Sequence, residues 1–344
     1  MSHNSSWRSP SNIALIKYWG KYELQLPHNP SLSFTLSACH TDMTVSVTQA
    51  TSPSLTILYA GNPKPAFNEK VNSFFSRIEN NFPWIRHSSI VIDSINTFPY
   101  GAGIASSASA MSAMALCLQD IDDQLNGKKV KNADWWTRVS EIARLGSGSA
   151  CRSIFSSVAL WGKTDDVETS SDLYAIPWKE FTNPYYTTFE DTILVVSSSE
   201  KSISSSVGHQ LMELHYYAAT RYSTARENVS RLITVLQEPA LINKFIAVVE
   251  SEALQLHALM MSGMNPFLLL EPGTIAIIKE IWRFRKDSGL PVCFTLDAGP
   301  NVHLLYPAEC KAKVADWIQT DLVKHCAEEQ VILDRVGSGP EKLS

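Results

Sequence analysis

Strand-forming runs crowd the early part of this chain and helix-forming runs crowd the later part, and that order constrains the fold more than any single residue. Residues 32–36, 43–48, 55–60 and 89–96 are β-rich or alternate apolar with polar side chains, so each predicts a strand. Between two of them, 70–80 reads as an amphipathic helix. Residues 105–121, rich in Ala, Met and Leu, predict a buried helix opened by a serine pair, and 135–145 another that stops where Gly146 and Gly148 appear. A polar, acidic stretch at 164–172 suits an exposed connection between lobes. An apolar strand at 192–196 then opens the second half. Long helical patterns follow at 207–236, 242–261 and 274–287, and strands at 292–296 and 302–306 flank the turn Asp297-Ala-Gly-Pro-Asn301. Strands and helices in blocks, without regular alternation, argue for an α+β fold and against a doubly wound sheet. The expected lobes are 1–178 and 179–344.

With 344 residues, 44% hydrophobic and 18% charged, the chain can bury one or two ordinary cores. A net charge of −5 disfavours nucleic acid or an anionic membrane as partner, since both need a concentrated basic face. It leaves room for a local basic pocket around a phosphorylated small molecule. Residues 1–10 are polar, with no apolar signal core, and no stretch approaches the ~20 apolar residues that span a bilayer. The six cysteines are scattered without a C-x-x-C pair, which predicts reduced thiols and a cytoplasmic setting.

Four segments carry chemistry. Phe98-Pro-Tyr-Gly-Ala-Gly-Ile-Ala-Ser-Ser-Ala-Ser109 runs from a strand through Gly101 and Gly103 into a helix at Ser106 and Ser107. Free N–H groups at a helix start, reached through glycines, make an anion site. Neither a Walker A loop nor a Rossmann fingerprint is present. Alone, the segment is equally a turn followed by a helix cap. Gly146-Ser-Gly-Ser-Ala-Cys-Arg152 is a second small-residue loop, ending in a guanidinium that suits a carboxylate or phosphate, or simply solvent. Asp297 closes a strand and opens a tight turn, a place for a general base or for a turn-forming Asp. In Ser11-Asn-Ile-Ala-Leu-Ile-Lys-Tyr-Trp-Gly-Lys21, Lys17 enters an apolar run, at a desolvation cost unless an anion or polar network meets it.

Taken together, in this order and spacing, the four segments resemble the signatures of the diphosphomevalonate decarboxylase family, within the superfamily of galactokinase, homoserine kinase, mevalonate kinase and phosphomevalonate kinase. The resemblance covers about residues 10 to 306. It implies a two-lobed small-molecule kinase-like fold, with a ribosomal S5-like N-terminal lobe, a ferredoxin-like C-terminal lobe and the active site in the cleft between them. It implies that Gly101, Gly103, Ala105, Ser106 and Ser107 hold the ATP phosphates and that Asp297 is the catalytic carboxylate. Arg152 would bind the substrate carboxylate, Asn12 would order Arg152 and Asp297, and Lys17 would support charge at the reacting centre. Tyr18 and Lys21 would face the substrate phosphate, Ser147, Gly148 and Ser149 its middle, and Ser205 and Ser206 belong to a serine-rich phosphate loop. ATP is the implied co-substrate, Mg2+ the implied metal, carried on ATP with few protein ligands, and a homodimer the expected assembly.

The chain departs from that family's pattern at Ser206, where Arg or Thr is common, at His209 in place of Met, at Ser156-Ser157 in place of a glycine pair, and at Ala110. The Ser206 change leaves monophosphate and diphosphate substrates both open, because an arginine would add charge-assisted bonds. Two rivals stand beside the decarboxylase: a kinase of the same superfamily that only phosphorylates, and a non-catalytic binding protein on the same scaffold.

Overall fold

The computed structural model describes residues 2–99, 104–128, 130–199 and 205–344, with residues 205 and 206 described by their backbone alone. The spine of the first sheet is a 19-residue strand, Ser31–Gln49. The strand Ser2–Ala14 pairs with it antiparallel from Ser2↔Thr48 to Ala14↔Ser33. Ser88–Asn96 lies along the later part of its other edge and Val158–Trp161 along the earlier part. Ser54–Tyr59 then joins Ser88–Asn96 in parallel. The two strands expected at 32–36 and 43–48 are therefore one. The polar residues between them carry no strand pattern, yet the Asp334 carboxylate accepts the Ser37, Ala38 and Cys39 N–H groups at 2.7–2.8 Å and holds that stretch extended.

Two helices cover one face of this sheet. Ser106–Leu125 is small and apolar enough to be buried along most of its length. Ala133–Gly146 starts where the Asn132 side chain accepts the Trp135 N–H at 3.0 Å, an N-cap in the usual sense. Trp7, Val45, Phe74, Met114, Leu118 and Trp135 share the resulting core.

The second sheet has the order Cys293–Leu296, Val302–Tyr306, Glu190–Leu194, Val331–Arg335, antiparallel throughout. Along the chain this is strand, helices, strand, strand, helix, strand, the β-α-β-β-α-β pattern of ferredoxin-like units. The helix Pro272–Ser288 is bounded by rule: a Glu271/Thr274 capping box with Pro272 at its start, and Gly289 at φ 71° at its end. The single helix expected at 207–236 is a correction. It is two helices, Ser205–Leu211 and Ala218–Val235, because His215 is extended at ψ 129° and its ring is bound by the Leu259 carbonyl and the Tyr217 N–H. The Val158–Trp161 and Val331–Arg335 strands and the helix Lys311–Trp317 were not anticipated.

Phe34, Phe189 and Phe245, with ring centroids 5.5–6.1 Å apart, pack the first sheet onto the second half. Near the end of the chain, Glu341–Lys342 returns to the edge of Ser2–Ala14. All six cysteines are free thiols. Among the described residues no helix is long and apolar enough to cross a membrane.

Candidate active site

The Ser2–Ala14 strand delivers Asn12 and, just beyond its end, Lys17 to a point where the 3-10 turn Gly148–Ile154 brings Arg152. Arg152 is 2% exposed. Its Nε and Nη2 donate to Asn12 Oδ1 at 3.3 and 3.1 Å, Nε also to Ser33 Oγ at 3.1 Å, and Nη1 to Ser31 Oγ at 2.9 Å. Asn12 is itself fixed, its Nδ2 donating to the Ser149 carbonyl at 3.1 Å and to Ser153 Oγ at 2.8 Å. Among the described residues every acceptor around the guanidinium is neutral, and burial lowers its pKa despite the nearby Cys151, Tyr18 and Asp297.

Lys17, also 2% exposed, donates from Nζ to the Ala14 carbonyl at 2.5 Å. Burial pulls its ammonium down to about 8, Asp297 and Glu252 pull it back up, and Arg152 and Arg221 push it down. Among the described residues neither Lys17 nor Arg152 has a carboxylate within ion-pair distance of its side chain. Asp297, at the end of Cys293–Leu296 and half-buried, is near enough to act on the charge of both, and its carbonyl is 3.2 Å from His257 Nε2. Two buried cations and one carboxylate therefore share one place, contributed by both halves of the chain.

Tyr18 is wedged between Trp161 and His209, at ring distances of 4.7 and 4.4 Å, and among the described residues its buried hydroxyl has no hydrogen-bond partner. Gly148 is required beneath it: a Cβ there would lie 2.7 Å from Tyr18 Oη and 2.9 Å from Trp161. His209 Nδ1 accepts the Gly20 N–H at 3.0 Å, and burial first, then Lys21, hold its ring neutral down to about pH 3. Lys21 is half-buried, donates to Gln25 Oε1 at 3.0 Å, and is lowered in pKa by burial and by Arg77. Ser147 precedes the Gly148 turn without a side-chain capping bond, its Oγ 3.3 Å from Ser107 Oγ.

Ser107 lies in the first turn of the 20-residue helix Ser106–Leu125. The residue before the helix, Ala105, is left-handed at φ 46°, and among the described residues no side chain caps the first N–H groups. A hydroxyl from Ser11 ties the approach through the Ile104 carbonyl at 2.8 Å. An uncapped start of a long helix leaves donors and the positive dipole end for an anion. Gly101 and Gly103 lie outside the described residues, and the side chains of Ser205 and Ser206 are not described. The structure thus brings Asn12, Lys17, Tyr18, Ser147, Gly148, Ser149, Arg152 and Asp297 together, with Ser107 joining through Ser147. Reading the sequence missed Ser31, Ser33, Trp161 and His257, whose types and spacing carry no signal.

A helix start open to anions, buried cations beside a strand-end carboxylate, and two packed α+β halves define an enzyme of the small-molecule kinase-like class. The first half matches the family model of the diphosphomevalonate decarboxylase-like N-terminal domain over residues 9–174, and the second that of the mevalonate 5-diphosphate decarboxylase C-terminal domain over 192–343. The chain belongs to the diphosphomevalonate decarboxylase family. The diphosphomevalonate decarboxylase of Saccharomyces cerevisiae is 28% identical over 338 residues, 92% of this chain and 81% of that one. The crystal structure of mevalonate diphosphate decarboxylase from Staphylococcus aureus superposes with a TM-score of 0.86 at 27% identity, covering 100% of this chain and 99% of that one. MDDEF in complex with MVAPP, AMPPCP and magnesium superposes with a TM-score of 0.83 at 28% identity, covering 100% of both chains.

Proposed function

We propose that this chain catalyses the ATP-dependent decarboxylation of mevalonate 5-diphosphate to isopentenyl diphosphate, ADP, phosphate and CO2. The observation that carries the reading is the pair of buried cations, Lys17 and Arg152, held by neutral partners beside Asp297. Burying a charge without a counter-ion costs several kcal/mol, so the site is built for a ligand that brings anions.

The chemistry follows from these positions. Asp297 takes the proton of the tertiary 3-hydroxyl as its oxygen attacks the γ-phosphorus of ATP and ADP leaves. The C3–O bond of the resulting phosphate ester then breaks, releasing phosphate. Electrons of the bond to the carboxylate form the double bond as CO2 departs. Arg152 orients that carboxylate, and the Lys17 ammonium stabilises charge at the reacting carbon's leaving group. No electron-sink cofactor is needed, because the departing phosphate leaves the electron-poor carbon that receives the pair. The diphosphate end is the part of the substrate we assign to Tyr18, Lys21 and the serine-rich segment that includes Ser205 and Ser206, as the family resemblance implies. The Ser107 and Ser147 hydroxyls are hard oxygen donors suited to Mg2+, which they would hold together with the ATP phosphates. Mg2+ supplies charge neutralisation of the transferring phosphoryl group.

We take residues 1–178 and 179–344 as the two lobes, a homodimer as the working assembly, and the cytoplasm as the compartment. Six free thiols, five of them buried, suit a reducing compartment. The test is product formation from mevalonate 5-phosphate and 5-diphosphate side by side, with ADP and CO2 measured together. Equimolar ADP and CO2 from the diphosphate supports the reading. ADP without CO2 would make the protein a kinase.

A further inference from the structure

The main chain of Lys17 is gripped by side chains of two helices from the second half. Glu252, fully buried in Ile242–Ser262, accepts the Lys17 N–H at 2.9 Å. Arg221, from Ala218–Val235, donates to both Glu252 oxygens at 2.8 and 2.6 Å, and its Nη2 also reaches the Lys17 carbonyl at 3.0 Å. Asn228 on that same helix donates to Glu252 Oε1 at 2.7 Å, and Asn29 donates to the Lys17 carbonyl at 3.1 Å. A buried ion pair is a poor device for stability, since desolvation offsets its attraction. It is a good device for placement. With both polar atoms of its backbone pinned, the Lys17 side chain leaves the main chain in one direction only, toward the Ala14 carbonyl at the end of the strand that carries Asn12.

We infer that Glu252, Arg221 and Asn228 are positioning residues for the reaction, locking the Lys17 main chain so that its ammonium stands at a fixed place beside Asp297 and Arg152. The inference rests on the proposed role of Lys17 in the decarboxylation. It also gives the second half of the chain a share in the site beyond Asp297, because the lock exists only when its two helices are docked on the Lys17 segment.

The charges that face Lys17 are Asp297, Glu252 and Asp191 on the negative side, and Arg152 and Arg221 on the positive side. Glu252 therefore helps keep the ammonium charged, while Arg221→Lys preserves every charge and removes only the planar fork. Activity that needs the ammonium falls as pH rises through the Lys17 pKa of about 8. The experiment is steady-state turnover of mevalonate 5-diphosphate by Arg221→Lys and Glu252→Gln from about pH 6 to about pH 10, with thermal melting alongside. In Arg221→Lys, kcat should fall roughly tenfold as the ammonium loses its exact register, while KM for ATP stays within about twofold and the alkaline limb stays in place. In Glu252→Gln the alkaline limb should move down by on the order of one pH unit. A merely structural pair would lower the melting temperature of both variants and leave kcat and the limb of the folded enzyme alone. Folded Arg221→Lys with wild-type kcat overturns the inference, whatever becomes of Glu252→Gln. Lys17→Met separates the two claims: full activity there refutes the role of Lys17 itself, whereas its inactivity beside an unaffected Arg221→Lys refutes the lock alone.

Discussion

Arg152 distinguishes a residue kept for function from one kept for stability, because the two roles predict opposite responses to removing its charge. The guanidinium is 2% exposed and meets three neutral acceptors, Asn12 Oδ1, Ser33 Oγ and Ser31 Oγ. Arg152→Lys keeps the charge, but a single nitrogen cannot span acceptors spread around a planar fork. The substrate carboxylate would sit about 1 Å out of line, which costs on the order of a hundredfold in rate. Arg152→Met removes the buried charge and its desolvation penalty of several kcal/mol. Against that, Asn12 Oδ1 loses its donors, a cost of ~1–3 kcal/mol, while Ser31 still donates to the Ile16 carbonyl at 2.6 Å. The melting temperature of Arg152→Met should therefore stay near wild type or rise, while turnover falls at least as far as in the lysine variant. ADP and CO2 release are measured in parallel, with KM for ATP and thermal melting of all three proteins. A lysine variant at full rate would mean that Arg152 does not hold the carboxylate. An equal loss of ATP binding would move it to the nucleotide side of the cleft, and a methionine variant that is inactive because it is unfolded would refute the account of where its cost lies.

Asp297→Asn should lower phosphoryl transfer by ~10²–10⁴ with ATP binding nearly intact, and isothermal titration beside ADP release checks both halves. Gly148→Ala places a methyl 2.7 Å from Tyr18 Oη and 2.9 Å from Trp161, so we expect a loss of ~1–3 kcal/mol in stability and a raised KM for the phosphorylated substrate. An alanine variant with unchanged KM would show that the Tyr18 ring does not help to place that substrate. His209 is held neutral, its pKa lowered from 6.5 to about 3 by burial and then by Lys21, so the stability it lends is complete above pH 6.5 and is lost as pH falls toward 3. At the acid end this amounts to on the order of 5 kcal/mol, so wild type should lose melting temperature more steeply below pH 6.5 than His209→Gln. Parallel curves for the two proteins would place the acid sensitivity elsewhere.

What could be read from the chain and what could not divide along a physical line. Asn12, Lys17, Tyr18, Arg152 and Asp297 could be singled out because their short segments, taken together in order and spacing, resemble one family. A lysine in an apolar run and an aspartate at a strand end ahead of a Gly-Pro turn are local anomalies that ask for a partner. The start of the Ser106–Leu125 helix was legible for the same reason, although the side-chain cap that a serine pair suggests is absent and the left-handed Ala105 takes that place. The break at His215 was not legible. Met212-Glu-Leu-His-Tyr-Tyr217 contains no Gly or Pro, every residue in it tolerates a helix, and the interruption comes from the Leu259 carbonyl, 44 residues away in sequence.

The grip on Lys17 belongs to that second kind, and it explains why reading the cation from its own segment gives its presence but not its geometry. Glu252 lies in a long apolar helix pattern, where an acidic residue most often marks the solvent face, and Arg221 lies among polar neighbours that suit an exposed helix. Only packing shows that both are buried and that they meet each other and the Lys17 peptide across sequence separations of 31, 204 and 235 residues. Asp334, which straightens the strand at Ser37 from 297 residues away, works in the same manner. In each case a buried carboxylate from the second half accepts main-chain N–H groups of the first, and main-chain N–H groups are the same at every residue but proline. A contact whose donor has no side-chain identity leaves no pattern in the donor segment. Charge placed on the ligand side of a site therefore shows in the sequence, while the charge that holds the backbone beneath it does not, and the residues that fix the precision of the Lys17 ammonium are those a motif search passes over.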